Sequence, residues 1–422
     1  MSSALKSSES KAQPVRGTRD LLGEEKRRRS YVTAQAQHAS ALFGCEEIET
    51  PLFEETGVFY RLGESSDIVT KETYTFTDRG GSSLTLRPEG TAPVARALIS
   101  NGLTQTLPAK FFYAGPMFRY ERPQKGRYRQ FTQVGVEIFG LNSYHGDIET
   151  IQIAENFLER LGLRAQVSLE LNSLGDAVSR EAYREKLVTY FTRYQTDLSE
   201  DSRHRLKQNP LRILDSKDEG DRKLLKDAPL YGDSLTVEAQ SFFDQVLKTL
   251  ENLGIQYRHN PYLVRGLDYY CHTAFEYVST DLGAQGTVLA GGRYDGLVKN
   301  LGGPEVSGVG WAAGVDRLAL LLKGDFTAPR PVSILPMGDA AEAKSFEIAN
   351  LLRAQNTVTE ILYGGNIGKR LKKATKANAH TALIIGDDDL AQNQAQVRIL
   401  DRGTEEAVAF DKLAAYIKDI TS

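Results

Sequence analysis

The sequence predicts two folded parts: an α+β domain built on a mainly antiparallel sheet and carrying a helical insertion, then a smaller C-terminal α/β domain. Three observations lead there. Before residue 325 the strand-like runs come at hairpin spacing, which favours antiparallel pairing. Beyond residue 330 apolar strand runs alternate with helical ones, the pattern of a small and mostly parallel sheet. Between about 175 and 250 the chain is charged, helical in period and poor in β-branched runs. The expected organisation is a disordered Ser/Lys-rich tail at 1–14, the first domain at 15–325, a linker at 326–330 and the second domain at 331–422.

Residues 24–44 read as a helix, with apolar stripes through Val32, Ala36, Ala39 and Phe43 and a stop at Gly44. EEIETP, 46–51, is a short strand cut by Pro51. Residues 71–87 form a hairpin: Tyr74 and Phe76 alternate with polar residues, Arg79-Gly80-Gly81 turn, and Leu84 and Leu86 alternate back. A helix is expected at 91–101 and two strands at 110–119 and 129–139. Strand character returns at 273–280 and 285–290, and a Gly-rich stretch, 291–314, leads into the helix DRLALLLKG.

The composition excludes several classes. With 41% hydrophobic and 25% charged residues, the 422-residue chain is neither fibrous nor wholly disordered. Two cysteines, Cys45 and Cys271, make no disulfide framework and suit a reducing compartment. No apolar run reaches the roughly 20 residues a membrane span needs, and the N-terminal stretch lacks the apolar core of a signal peptide. A net charge of −3 argues against a non-specific polyanion binder while allowing local basic patches. HExxH, CxxC and GxSxG are absent, and neither GGNIGKR nor GVGWAAG has the spacing of a nucleotide-binding glycine loop.

Four segments carry chemistry. FRYERPQKGRYRQFTQVGVE, 118–137, places Arg119, Arg122, Lys125, Arg127 and Arg129 on a loop between two strands, with Glu121 as its acid. Guanidinium forks match phosphate oxygens, so the loop suits a polyphosphate or an RNA end; a solvated charged hairpin suits it equally. LVRGLDYYCHTAFEYV, 263–278, sets Arg265 beside two phenols, a seat for an anion against aromatic walls or simply a strand with core tyrosines. In LRPEGTAP, 86–93, Glu89 is placed to hold an ammonium group or to cap the following helix. In GVGWAAGVDRLALLL, 308–322, Arg317 opens an apolar helix and could stack on a purine. Together they fit a site that joins a nucleotide to an amino acid.

These segments resemble the signature motifs of the class II aminoacyl-tRNA synthetases, in the form of the histidyl-tRNA synthetase family. FRYERPQKGRYRQF resembles the second motif, GVDRLALLL the third, and the 24–44 helix with EEIETP the first. RGLDYY and AGGRYDGL resemble the two histidine-specific segments, and KRLKKATKANAHTALIIGDDDL the anticodon-binding domain. The resemblance implies a class II synthetase-like catalytic domain and ATP-dependent ligation of L-histidine to tRNA through a histidyl-adenylate. It implies that Arg119, Glu121, Arg127 and Arg317 bind ATP, with Mg2+ carried mainly on the ATP phosphates and its ligands left open. Glu89, Thr91 and Gln133 would hold the amino and carboxylate end of histidine; Glu137 and Tyr270 its imidazole, with Tyr269 and Tyr294 as support. Arg265 would contact the α-phosphate and carboxylate, and with Arg119 carry catalysis. Arg122 and Gln124 would approach the tRNA acceptor end, and Lys369, Arg370, Lys372 and Lys373 would contact tRNA from the last domain. A homodimer formed through the first motif and a cytoplasmic location are implied as well. Three positions depart from the family: Asp316 stands for glutamate, Cys271 for asparagine and Trp311 for phenylalanine. Two other readings compete: a catalytically silent relative that regulates histidine biosynthesis, and a pure RNA-binding module.

Overall fold

The computed structural model describes residues 11–61, 71–122, 124 and 126–421; Lys125 and residues 1–10 of the expected tail lie outside them. The chain divides into two compact units, Met1–Asp325 and Phe326–Ser422.

The strands of the first unit are β1 Glu46–Glu47, β2 Phe53–Glu55, β3 Tyr74–Thr77, β4 Ser83–Leu86, β5 Ala109–Phe118, β6 Gln130–Phe139, β7 Ser168–Ser173, β8 Arg258–His259, β9 Cys271–Val278, β10 Thr287–Arg293 and β11 Gly308–Gly314. Eight of them form the main sheet in the order β1-β5-β6-β11-β10-β9-β7-β8, antiparallel except for its two edge pairs, and β2, β4 and β3 form a second small sheet. The hairpin expected at 71–87 is β3–β4, its turn closed by Asp78, whose Oδ1 accepts the N–H groups of Gly80 and Ser82, each at 2.8 Å. The loop between the ten-residue strands β5 and β6 carries the expected arginines.

The Gly-rich stretch hides β11, a strand at the centre of the sheet, which the hydrophobic pattern does not show. Its glycines are there for close approach: a Cβ at Gly310 would overlap the Glu137 carboxylate, and one at Gly308 the Tyr294 ring. Successive strand residues face opposite sides, so Trp311 lies under the sheet, stacked on Phe157 with centroids 5.8 Å apart and donating to the Thr150 carbonyl at 3.1 Å. The Trp311 departure therefore sits away from the face that holds Glu137.

The charged stretch is an excursion of helices, Ala177–Arg193, Glu200–Gln208 and Glu219–Leu225, with short 3-10 turns. Its two ends are pinned together, Thr236 Oγ1 donating to Asp176 Oδ2 at 2.6 Å and the Thr236 N–H to Ser179 Oγ at 2.9 Å. The following helix, Val237–Asn252, which the sequence groups with the insertion, packs instead on the helix His145–Arg160 and on β9.

In the second unit β12 Val332–Pro336, β13 Thr359–Ile361, β14 Thr381–Ile385, β15 Gln394–Ile399 and β16 Thr404–Ala409 make one sheet in the order β13-β12-β14-β15-β16. The expectation of a mostly parallel sheet holds for the first three; β15 runs antiparallel to β14, and β16 antiparallel to β15 across a tight turn with Gly403 at φ 66°. Arg330, expected in the linker, is anchored on this unit by Asp401 (2.6 and 2.8 Å) and the Asn378 and Ala379 carbonyls.

Candidate active site

Most of the expected ATP- and histidine-binding residues of the first unit come together in one connected set of contacts. Glu89 ends the loop after β4, and its carboxylate accepts the N–H groups of Thr91 (2.8 Å) and Ala92 (2.9 Å) at the start of the helix Thr91–Ser100. The capping role that its spacing allowed is thus present. Burial raises its pKa, against the two N–H groups and the Arg119 charge. Thr91 Oγ1 donates to Glu137 Oε1 at 2.6 Å, and the Tyr294 hydroxyl donates to Glu137 Oε2. Glu137 on β6 is fully buried, and burial pushes its pKa up to about 8 despite those two donors. Tyr113 packs beside it, its ring filling the space where Gly90 and Gly135 would carry a Cβ.

Tyr269, Tyr270 and Tyr294 form an aromatic wall with centroids 4.6–6.2 Å apart. Burial, with the neighbouring acids, holds the Tyr269 and Tyr294 phenols well above their ordinary pKa. Arg265 lies over the Tyr270 ring, 5.2 Å from its centroid, and pairs with Glu276 on β9. Burial pulls the Arg265 pKa down, but Tyr270 and Glu276 outweigh it and keep the guanidinium charged. The other Glu276 oxygen accepts from Thr287 Oγ1 at 2.8 Å, and the Thr287 carbonyl accepts from Arg317 Nη1 at 2.6 Å. Burial lowers the Arg317 pKa, as do the charges of Arg127 and Arg119, while Glu121 raises it.

Arg119 leaves the end of β5, donates to the Pro88 carbonyl at 2.8 Å and lies over Phe131 at 5.2 Å. Its guanidinium stands 3.8 Å from Glu121, which also accepts from Arg127 at 2.9 Å. Contacts therefore run in an open ring from Arg317 through Thr287, Glu276, Arg265, Tyr270, Tyr294, Glu137 and Thr91 to Glu89, and the Arg119–Glu121–Arg127 cluster acts on both of its ends through charge alone. Buried polar atoms without partners include Arg265 Nε and Arg127 Nε among these residues, and Gln133 Oε1 on the same strand as Glu137. Such atoms are costly unless a ligand completes them. The ring presents cations on one arc and a carboxylate-and-phenol pocket on the other, an arrangement that can neutralise a polyphosphate beside a small polar heterocycle.

The remaining expected residues are placed differently. Arg122 and Gln124 are exposed on the β5–β6 loop, Gln124 pairing by backbone with Arg127. On the helix Ile367–Lys376 of the second unit, Lys369, Lys372 and Lys373 face outward. Arg370 is a correction: it is buried and donates to the carbonyls of Pro336 and Gly365, so it holds the helix to the sheet instead of facing RNA.

Pattern reading missed Glu276, Thr287 and Tyr113. Their signal was weak, since each lies in a strand that reads as ordinary alternation. The departures find partners. Asp316 accepts from Arg29 (3.2 Å), Arg19 (3.3 Å) and the Thr132 N–H (3.1 Å), tying the first helix to the start of β6 next to Arg317. Cys271 Sγ accepts the Asp295 N–H at 3.5 Å, and burial pushes the thiol up to about 12. Among the described residues no group of three or more His, Cys, Asp or Glu is placed to hold a metal ion. The acids on the cationic arc, Glu121 and Glu276, are engaged by arginines.

Fold and site together are those of an aminoacyl-tRNA synthetase. The family model "Histidyl-tRNA synthetase" matches residues 17–318, and "Anticodon binding domain" matches residues 331–420. A histidine–tRNA ligase of Gluconacetobacter diazotrophicus is 53% identical over 409 residues, 97% of this chain and 99% of that protein. The crystal structure of apo S. aureus histidyl-tRNA synthetase aligns with a TM-score of 0.80 at 35% identity, covering 97% of this chain and all of that one. A Bacillus halodurans structure described as an ATP phosphoribosyltransferase regulatory subunit/histidyl-tRNA synthetase shares the fold, with a TM-score of 0.66 at 22% identity, over 89% of this chain and 98% of that one. The chain belongs to the histidyl-tRNA synthetase family.

Proposed function

We propose that this chain ligates L-histidine to its tRNA in two steps. The histidine carboxylate attacks the α-phosphorus of ATP; the new O–P bond forms as the bridge to the β-phosphate breaks, and pyrophosphate leaves. The terminal ribose hydroxyl of tRNA then attacks the adenylate carbonyl and AMP departs. The first step drives one anion against a polyanion, so pre-placed cations carry most of its acceleration. Arg265 sits between the phenol pocket and the cationic arc, where it can bridge the carboxylate and the α-phosphate. Arg119 and Arg127 take the ATP phosphates and Glu121 the adenine edge, with Arg317 flanking the base. Glu89 and Thr91 hold the ammonium, Gln133 the carboxylate, and Glu137 with Tyr270 the imidazole. Mg2+ would be held mainly by the ATP phosphates, where it would offset their negative charge.

The observation that carries this reading is the pair of hydroxyls, Thr91 and Tyr294, that hold the buried Glu137 at the pocket floor. A carboxyl group oriented in an aromatic box accepts a ring N–H, and a site built to pair polar atoms rejects analogues lacking them by about 10⁴–10⁵. A silent regulatory relative has no need for the three arginines and the C-terminal match together, and an RNA-binding module leaves the Glu137 pocket without a role. Arg122 and Gln124 face the acceptor end, and Lys369, Lys372 and Lys373 the anticodon side. The likeness of the 24–44 helix and EEIETP to the first motif supports a homodimer. No described helix is long and apolar enough to cross a membrane; we place the chain in the cytoplasm because tRNA charging takes place there.

Histidine-dependent exchange of pyrophosphate into ATP tests the first step, and charging of tRNA the second. Exchange that ignores histidine refutes the reading.

A further inference from the structure

The loop from Val264 to Tyr270 has no helix or strand of its own, yet it carries Arg265 and Tyr270. The positions of those two side chains therefore depend on what grips the loop, and the helical excursion does so from three elements. Asn209, just past the helix Glu200–Gln208, donates Nδ2 to Asp268 Oδ1 at 2.8 Å. Arg180, on the helix Ala177–Arg193, donates to the Asp268 carbonyl at 2.5 Å, and its guanidinium stands 3.9 Å from the carboxylate. Arg212, in the turn Pro210–Asp215, stands 3.8 Å from the same carboxylate and also donates to the Gly266 carbonyl. The gripped carbonyls belong to the residue after Arg265 and the residue before Tyr269. In the contacts given above, the Asp268 carboxylate meets Asn209, Arg180 and Arg212, all three from the excursion.

We infer that Asp268 is a positioning residue, through which the helical excursion sets Arg265 and Tyr270 for histidine and the α-phosphate. The excursion is then part of the amino-acid site and acts in the first step, before any tRNA is bound. Charge-assisted hydrogen bonds hold such a loop more tightly than neutral ones, and misplacing a reacting group by about 1 Å costs up to about 10²-fold. The inference rests on the proposed ligase function.

The test is pyrophosphate exchange by the full chain without tRNA, comparing wild type with Arg212→Ala, Asp268→Ala and Asp268→Asn. The expected result is a fall in kcat/KM for histidine of about tenfold or more in both alanine variants, with the ATP KM moving less than about twofold. Asp268→Asn, which keeps an acceptor for Asn209, should lose less. The double alanine variant should be little worse than either single one, because both remove the same grip. Arg212→Ala leaves the loop sequence intact, so it decides the matter if Asp268→Ala does not fold. Histidine kcat/KM within about twofold of wild type in Arg212→Ala, or a loss confined to the ATP KM with kcat and the histidine KM unchanged, overturns the inference. Absence of histidine-dependent exchange in the wild type is a different failure: it overturns the ligase reading, and this inference with it.

Discussion

Thr91 donates its hydroxyl to Glu137 across 46 positions of sequence, at 2.6 Å, joining the first turn of a helix to the floor of the sheet. The bond orients a carboxyl that burial has pushed up to about 8 from an ordinary 4.5. In the folded chain Glu137 therefore keeps its proton over a range in which the unfolded chain has lost it. Its contribution to stability is complete below about 4.5 and is lost as pH rises through about 8. Glu137→Gln removes that dependence. Urea unfolding at about pH 5.5 and about pH 8.5 should show the variant gaining on wild type at the higher pH, by up to a few kcal/mol. A difference that does not change with pH would contradict the shifted carboxyl.

Arg265 lies over the Tyr270 ring, and its partner Glu276 is itself held by Thr287. Arg265→Ala should slow adenylate formation by about 10²–10³, as loss of one pre-placed charge does elsewhere, while histidine binding weakens far less. Rapid-quench measurement of adenylate, set beside histidine binding by calorimetry, separates the two. Unchanged exchange would remove Arg265 from the chemistry.

Gly310 lies opposite Glu137 in adjacent strands, and any side chain there meets the carboxylate. Gly310→Ala should cost about 1–3 kcal/mol or more through overpacking and abolish histidine-dependent exchange. Thermal unfolding and exchange on the same preparation check both halves.

The basic helix of the second unit divides into two kinds of cation. Lys369→Ala and Lys372→Ala should each lower the slope of log affinity for tRNA against log salt by about 0.7–0.9 if each meets one phosphate. Arg370→Ala should leave the slope alone and destabilise the domain by about 1–3 kcal/mol, through the carbonyls it leaves unpaired. Binding titrations at several salt concentrations, with unfolding curves alongside, distinguish these outcomes.

Asp316 is 5% exposed and Arg29 9%, so their pairing lies out of water. Burial lowers the Arg29 pKa and Asp316 opposes that shift. Asp316→Ala leaves Arg29 buried without its counter-charge and should cost about 3–5 kcal/mol. Chemical unfolding of the variant measures it; a loss under about 1 kcal/mol would mean that water reaches Arg29 freely.

Several elements were plain in the residues themselves. The β3–β4 hairpin follows from alternation around Asp78-Arg79-Gly80-Gly81, and β5 and β6 from two apolar runs with cations between them. Strands of this kind announce themselves because one face must be apolar and the turn must tolerate unusual backbone angles. Strand β11 did not, because three of its seven residues are glycines that lack the side chains on which a pattern depends. The excursion's true base at Asp176 and Thr236 was equally hidden, since a hydrogen bond between residues 60 apart leaves no local trace.

Residue types and local spacing were enough to name the arginines, the pocket acids and the tyrosines, because phosphate and imidazole chemistry demand those groups whatever the fold. Only the tertiary structure decided which of them meet. It linked Arg265 to Arg317 through Glu276 and Thr287, turned Arg370 inward and set Asp268 against the excursion. The physical reason is that a side chain's charge is written in the sequence, while its partners and its burial are properties of chain segments that come together only on folding.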